Sequence, residues 1–83
     1  MRSAKRETQP KSKEEISMVR KIGIRISEAA AQRKISIERL AYEGGVSKGY
    51  LYDLVKGKGN PSITILSRIA SALDMEVSEL FTR

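Results

Sequence analysis

Lys48, Gly49, Tyr52, Asp53 and Lys56 recur at intervals of one, three and four, so a helix running through them carries them all on one side. Two ammonium groups, a phenol and a carboxylate can donate and accept hydrogen bonds and can attract charge. None of them is a nucleophile with a base beside it. Nothing elsewhere in the chain supplies what bond-making chemistry needs. There is no histidine and no cysteine, which removes the commonest general base, the commonest metal ligand and any thiolate or disulfide. The carboxylates are scattered, with no clustered pair for acid–base work. Gly57-Lys58-Gly59 lacks the spacing and the Ser or Thr of a phosphate-binding P-loop. The chain is expected to recognise rather than to catalyse, with no cofactor and no metal.

The helix that bears this polar side must be propped from behind. Ser47 is its N-cap, it runs to about Lys56, and Leu51, Leu54 and Val55 face inward. Ser36 caps a preceding short helix that runs to about Glu43, with Glu38 in its first turn. Leu40, Ala41, Gly45, Val46, Leu51 and Leu54 have the types and spacing that two short helices need to cross at a tight corner. Ala41 is small where the second helix comes close, and Gly45 takes a left-handed turn at little steric cost. Val46 and Leu51 plug the angle. Corners of this kind usually place their second helix in the major groove of DNA.

The 83 residues fit one domain, carry 16 Lys and Arg against 10 Asp and Glu, and so have a formal net charge of +6. The first 21 residues hold seven basic and three acidic groups, so the excess is concentrated there. A cationic chain favours polyanions, although solubility alone accounts for the charge equally well. Residues 1–12 are polar and basic, without apolar periodicity, and read as a flexible tail; residues 13–83 form the domain. From Lys13 a helix carries Val19, Ile22, Ile26 and Ala29 as one apolar stripe. Gly23 weakens it by about 1 kcal/mol relative to Ala, and Ile16 and Ile24 fall off the stripe. After a Gly57–Pro61 loop, Ser62 caps a helix with Leu66, Ile69, Ala70 and Leu73 inward, broken by Asp74 and Met75. A last short helix holds Val77, Leu80 and Phe81. The expected fold class is all-α with five helices. Met75, Val77, Leu80 and Phe81 are candidates for a dimer surface, unless Leu80 and Phe81 close the monomer's own core. No run approaches a membrane span and no apolar signal region opens the chain, so a soluble cytoplasmic protein is expected.

The chain resembles the Cro/repressor-type (XRE-like) helix-turn-helix family. The resemblance is carried by IGIRI in helix 1, IERLAYEGGVS through helix 2 and the turn, KG after helix 3, and NPSITILSRIASALDMEVSELF through the last two helices. It covers roughly Ile22 to Phe81. It implies a five-helix, lambda-repressor-like domain that binds double-stranded DNA, commonly as a homodimer on a near-palindromic operator, with half-sites about 34 Å apart. The compact form is similar to a phage repressor or a restriction–modification controller, with RNA polymerase as a further partner if it activates. An antitoxin on the same fold, with a toxin as partner, is the alternative; the amino-terminal arm would then have to serve the toxin.

Matched position by position, the resemblance implies that Lys48, Gly49, Tyr52 and Asp53 face bases. Ser36, Ser47, Tyr50, Lys56 and Lys58 fall where the family meets phosphate or sugar. Lys48 suits guanine O6 and N7, or else a phosphate. Asp53 suits cytosine N4, or a pairing with Lys56, or exclusion of non-specific DNA. Tyr50 and Tyr52 either touch DNA or pack across the helix. The basic tail, with Arg2, Lys5, Arg6, Lys11 and Lys13, raises affinity for any sequence or enters a groove. Three departures stand out. Ile37 replaces a Gln that clamps the backbone in many members. Ala30 and Val55 together replace a buried Arg–Glu pair, an exchange that is often neutral or stabilising. Asp74 stands where a Gly commonly ends helix 4, and Asp tolerates the left-handed conformation better than most residues.

Overall fold

Four serines start the four α-helices. In the computed structural model, which describes residues 12–81, these are α1 Lys13–Gln32, α2 Ile37–Gly44, α3 Lys48–Val55 and α4 Ile63–Ala72. The hydroxyls of Ser12, Ser36, Ser47 and Ser62 accept from the backbone N–H groups of Glu15, Arg39, Tyr50 and Ile65 at 3.0–3.1 Å. Each bond satisfies one of the amide donors that a helix start leaves without a partner. Ser12 goes further. Its own N–H donates to the Glu15 carboxylate, which completes a capping box. So Ser12, read from the sequence as the end of a tail, is the N-cap of α1.

The helix ends are equally regular. The residues that follow the four helices with positive φ are Lys34 (56°), Gly45 (69°), Gly57 (88°) and Asp74 (60°). In each case the next residue's N–H reaches back five positions: Ile35 to Ala30, Val46 to Ala41, Lys58 to Asp53 and Met75 to Ala70, at 2.8–3.0 Å. This is the Schellman ending, which satisfies the last carbonyls and turns the chain sharply. Asp74 takes the expected conformation. Lys34 does so without the tolerance that Gly or Asp brings.

The helices enclose an apolar core of Ile22, Ile26, Ala29 and Ala30 from α1, Leu40 and Ala41 from α2, Leu51 and Leu54 from α3, and Leu66, Ile69, Ala70 and Leu73 from α4. The stripes expected on α1 and α4 are therefore the buried ones, and Ile16 and Ile24 are exposed. No polar or charged side chain is buried among the described residues. Ala30 is buried and Val55 packs against the core, in keeping with an apolar substitute for a buried ion pair. Gly23 has a different role from the weak point that propensity suggests. A Cβ placed on it would strike the Leu54 carbonyl oxygen and lie 3.1 Å from Val55 Cα. Here α1 and α3 cross backbone against backbone, and only glycine fits.

The fifth element is a single 3-10 turn, Val77–Leu80, rather than an α-helix. Glu76 precedes it with no side-chain capping bond, and four residues cannot close the costly first α-helical turn and extend it. The turn is held from outside instead: Arg25 Nε donates to the Glu79 carbonyl at 3.2 Å. Leu80 is 1% exposed and closes the core, whereas Phe81 is 45% exposed. Leu80 is thereby withdrawn as a dimer-surface candidate.

Candidate nucleic-acid interface

The corner between α2 and α3 forms as its residues dictate. Gly45 takes φ 69° and Val46 N–H bonds the Ala41 carbonyl at 3.0 Å. Ala41 is buried and Val46 is partly buried against the core. Leu51 and Leu54 are wholly buried, which fixes the rotation of α3 about its axis. Lys48, Gly49, Tyr52 and Asp53 then lie together on the solvent side, and Lys56 continues that side at the helix end. Gly49 has open space where a Cβ would stand, so nothing within the protein requires glycine there.

The flanks of this surface are anchored. Asp53 turns its backbone carbonyl to the N–H groups of Lys56 and Lys58. Its carboxylate does not pair with Lys56; the ion pair among the described residues is Arg39–Glu43, one turn apart on α2. Gly57 packs against α1, where a Cβ would lie 3.4 Å from Arg20 Cα. Exposed Arg20 therefore lies against Gly57, which the exposed Lys56 and Lys58 flank, and no local pattern reveals it because these residues are 36 or more positions away along the chain. Ser36 and Ser47, exposed at the starts of α2 and α3, spend their oxygens as caps but keep hydroxyl protons to donate. Ile37 packs against the core and offers only its main chain. The tail residues Arg2, Lys5, Arg6 and Lys11 lie outside the described residues; Lys13 is exposed at the start of α1.

The two tyrosines separate. Tyr50 packs partly into the protein, and burial pushes its phenol above the usual range. Tyr52 is 36% exposed, and its hydroxyl donates to the Glu38 carboxylate in the first turn of α2. That bond holds the Glu38 carboxyl below its ordinary range, helped by a backbone hydrogen bond at Glu38 and by the Lys48 cation. The same bond raises the Tyr52 phenol, with desolvation and the carboxylate charge adding to it. Glu38 thus joins Lys48 and Tyr52 in one cluster that spans both helices of the corner. From the sequence Glu38 is only a first-turn acid. Its partner is fourteen residues away, on another helix, and no local pattern points to it.

Along the amino-terminal half of α1, Met18, Lys21, Ile22, Leu80 and Phe81 line an open groove of about 500 Å³. Met18 is 53% exposed there. Met75 and Val77 are partly buried. Among the described residues no group of three or more acidic, His or Cys side chains is placed to hold a metal ion, and no helix is long and apolar enough to cross a membrane.

A family profile described as helix-turn-helix (HTH_3) matches residues 26–80. SlrR, an HTH-type transcriptional regulator of Bacillus subtilis, is 45% identical over 47 residues, which is 55% of this chain and 31% of that protein. The chain spans between 31% and 54% of the length of the curated relatives it matches. The crystal structure of the restriction–modification controller protein C.AhdI from Aeromonas hydrophila superposes with a TM-score of 0.74 at 33% identity, covering 76% of this chain and 96% of that one. SinR, described as the master regulator for biofilm formation and solved in complex with DNA, superposes with a TM-score of 0.70 at 34% identity, over 74% of this chain and 98% of that one.

Proposed function

Because this chain belongs to the helix-turn-helix family, we propose that it binds double-stranded DNA sequence-specifically and regulates transcription, with α3 in the major groove. The observation that carries this reading is the division of α3. Leu51 and Leu54 are sealed in the core while Lys48, Gly49, Tyr52 and Asp53 share the solvent side. An α-helix fits the major groove, where each base pair presents its own pattern of donors and acceptors. In this reading Lys48 and Tyr52 reach base edges. Lys56, Lys58 and Arg20 meet phosphate, with the hydroxyls of Ser36 and Ser47 and the phenol of Tyr50 toward the backbone. Asp53 disfavours random DNA. The relatives named above, with a DNA complex among them, support the same conclusion.

Two copies on a near-palindromic operator, with half-sites about 34 Å apart, complete the proposal. Exposed Phe81, with Met18 on the same groove, is the apolar surface offered for pairing, and the partly buried Met75 and Val77 are the remaining candidates. Phe81→Asp should leave a folded monomer, read by sedimentation and circular dichroism; a folded dimer would rule this surface out. Repression follows when the operator overlaps a promoter.

The deciding experiment is selection of bound sequences from a random duplex pool at a stated salt concentration. A near-palindromic enriched sequence is expected. A protein that enriches nothing, or a footprint that leaves α3 untouched, overturns the proposal.

A further inference from the structure

From the hydrogen bond that commits the Tyr52 hydroxyl proton to Glu38, we infer that Tyr52 faces DNA as an acceptor only, and that Glu38 is the positioning residue that sets this polarity. This rests on the reading of α3 as the helix in the groove, and it names what one position of that helix selects.

A phenol normally both donates and accepts. It can therefore satisfy a donor or an acceptor on a base edge and discriminates poorly between them. Here the proton is spoken for. Glu38 sits in the first turn of α2 and reaches across the corner to a residue on the solvent side of α3. The directions in which the two groups are displaced keep the proton on the tyrosine and the charge on the carboxylate. What Tyr52 still offers outward is an oxygen lone pair. That lone pair cannot bond a phosphate, which has acceptors only, and the adjacent carboxylate repels phosphate as well. It can bond a base amine.

In the major groove the amines are N6 of adenine and N4 of cytosine, whereas guanine O6 and N7 and thymine O4 are acceptors. Every base pair shows one amine, so the contact does not distinguish A·T from G·C. It distinguishes orientation: an amino base, A or C, on the strand that Tyr52 faces, against a keto base, G or T. Lys48 complements this, because an ammonium has donors and no acceptor. One turn of α3 therefore presents a donor at Lys48 and an acceptor at Tyr52, with the Glu38 carboxylate hydrogen-bonded to the phenol and attracted to the ammonium.

The test is random-duplex selection with the wild type, Tyr52→Phe and Glu38→Gln, all three checked for folding by circular dichroism. Both side chains are exposed, so the substitutions leave the core intact. The wild type should prefer A or C over G or T at one position of each half-site by about five- to tenfold, the low end of the effect of one mismatched pair. Tyr52→Phe should abolish that preference and retain the others. Glu38→Gln should relax it too, since an amide can accept from or donate to the phenol and releases the committed proton. A Tyr52→Phe variant with unchanged preferences at every position overturns the inference. So does a Glu38→Gln variant that keeps the wild-type preference at the position Tyr52→Phe erases. A wild type that enriches no sequence sinks the DNA reading itself and this inference with it, which separates the two failures.

Discussion

The two sides of α3 obey different rules although they are built on the same eight residues. Its dry side touches α1 with so little room that Gly23 cannot carry a Cβ, and its leucines are wholly buried. Its wet side holds Lys48, Tyr52 and Asp53 in solvent, tied to the rest of the protein by one hydrogen bond to Glu38. Burial and close packing make the first side a matter of stability. Exposure makes the second nearly irrelevant to stability and available for binding, since exposed polar contacts contribute little to the folded state. A helix can be both because its side-chain directions are fixed by its backbone. Seating the leucines aims the lysine.

The largest expected effects lie on the dry side. Leu54→Ala should cost about 2–5 kcal/mol of stability, as buried leucine truncations do. Gly23→Ala should cost roughly 2–3 kcal/mol even though alanine is the better helix former, because the clash is with backbone and forces the two helices apart. Both are read from urea unfolding. A Gly23→Ala protein as stable as the wild type would mean that the two helices have room to separate at their crossing. On the wet side the effects pass to binding. Lys48→Ala should weaken the selected site by roughly tenfold and random duplex by much less, with stability changed by under about 0.5 kcal/mol. Equal losses on both duplexes would make Lys48 a phosphate contact.

Smaller again are Lys56→Ala and Lys58→Ala. Each should lower affinity for every sequence alike and reduce the salt slope by about one unit, measured by titration across ionic strength. The smallest expected effect is that of pH. Glu38, held low, contributes above the ordinary carboxylate range and loses its contribution as pH falls through its lowered folded value. Tyr52, held high, contributes below the ordinary phenol range and loses its contribution as pH rises through its raised value. The bond between them is thus intact throughout the neutral range. With no histidine in the chain, affinity at fixed salt should be flat between roughly pH 6 and 8. A titration there in the specific complex would point to another group.

What could be read from the residues alone follows the same division. Ser36, Ser47 and Ser62 are legible as caps because each precedes an apolar stripe, and Gly45 is legible because it sits between two such stripes. Ser12 is not, since the Glu15 that completes its box lies in a polar run that resembles the tail before it. Gly23 reads as a weak point because propensity is local and the α1–α3 crossing is not. Leu80 and Phe81 are adjacent and both apolar, so only the geometry of the 3-10 turn shows which one enters the core. On the candidate surface, the exposed set on α3 follows from helical spacing. Glu38 and Arg20 do not, because each meets that surface through space and from another helix.

The absence of a side chain at position 23 has a mechanical consequence. A rod welded near its carboxyl end to a longer rod cannot swivel freely to meet an imperfect target. In the proposed complex, adjustment therefore falls to the twist and bend of the nucleic acid and to the junction between protein copies. One base pair inserted between the half-sites rotates the second by about a tenth of a turn. With α3 unable to follow that rotation within its own domain, the proposed complex selects the spacing of its half-sites as well as their bases.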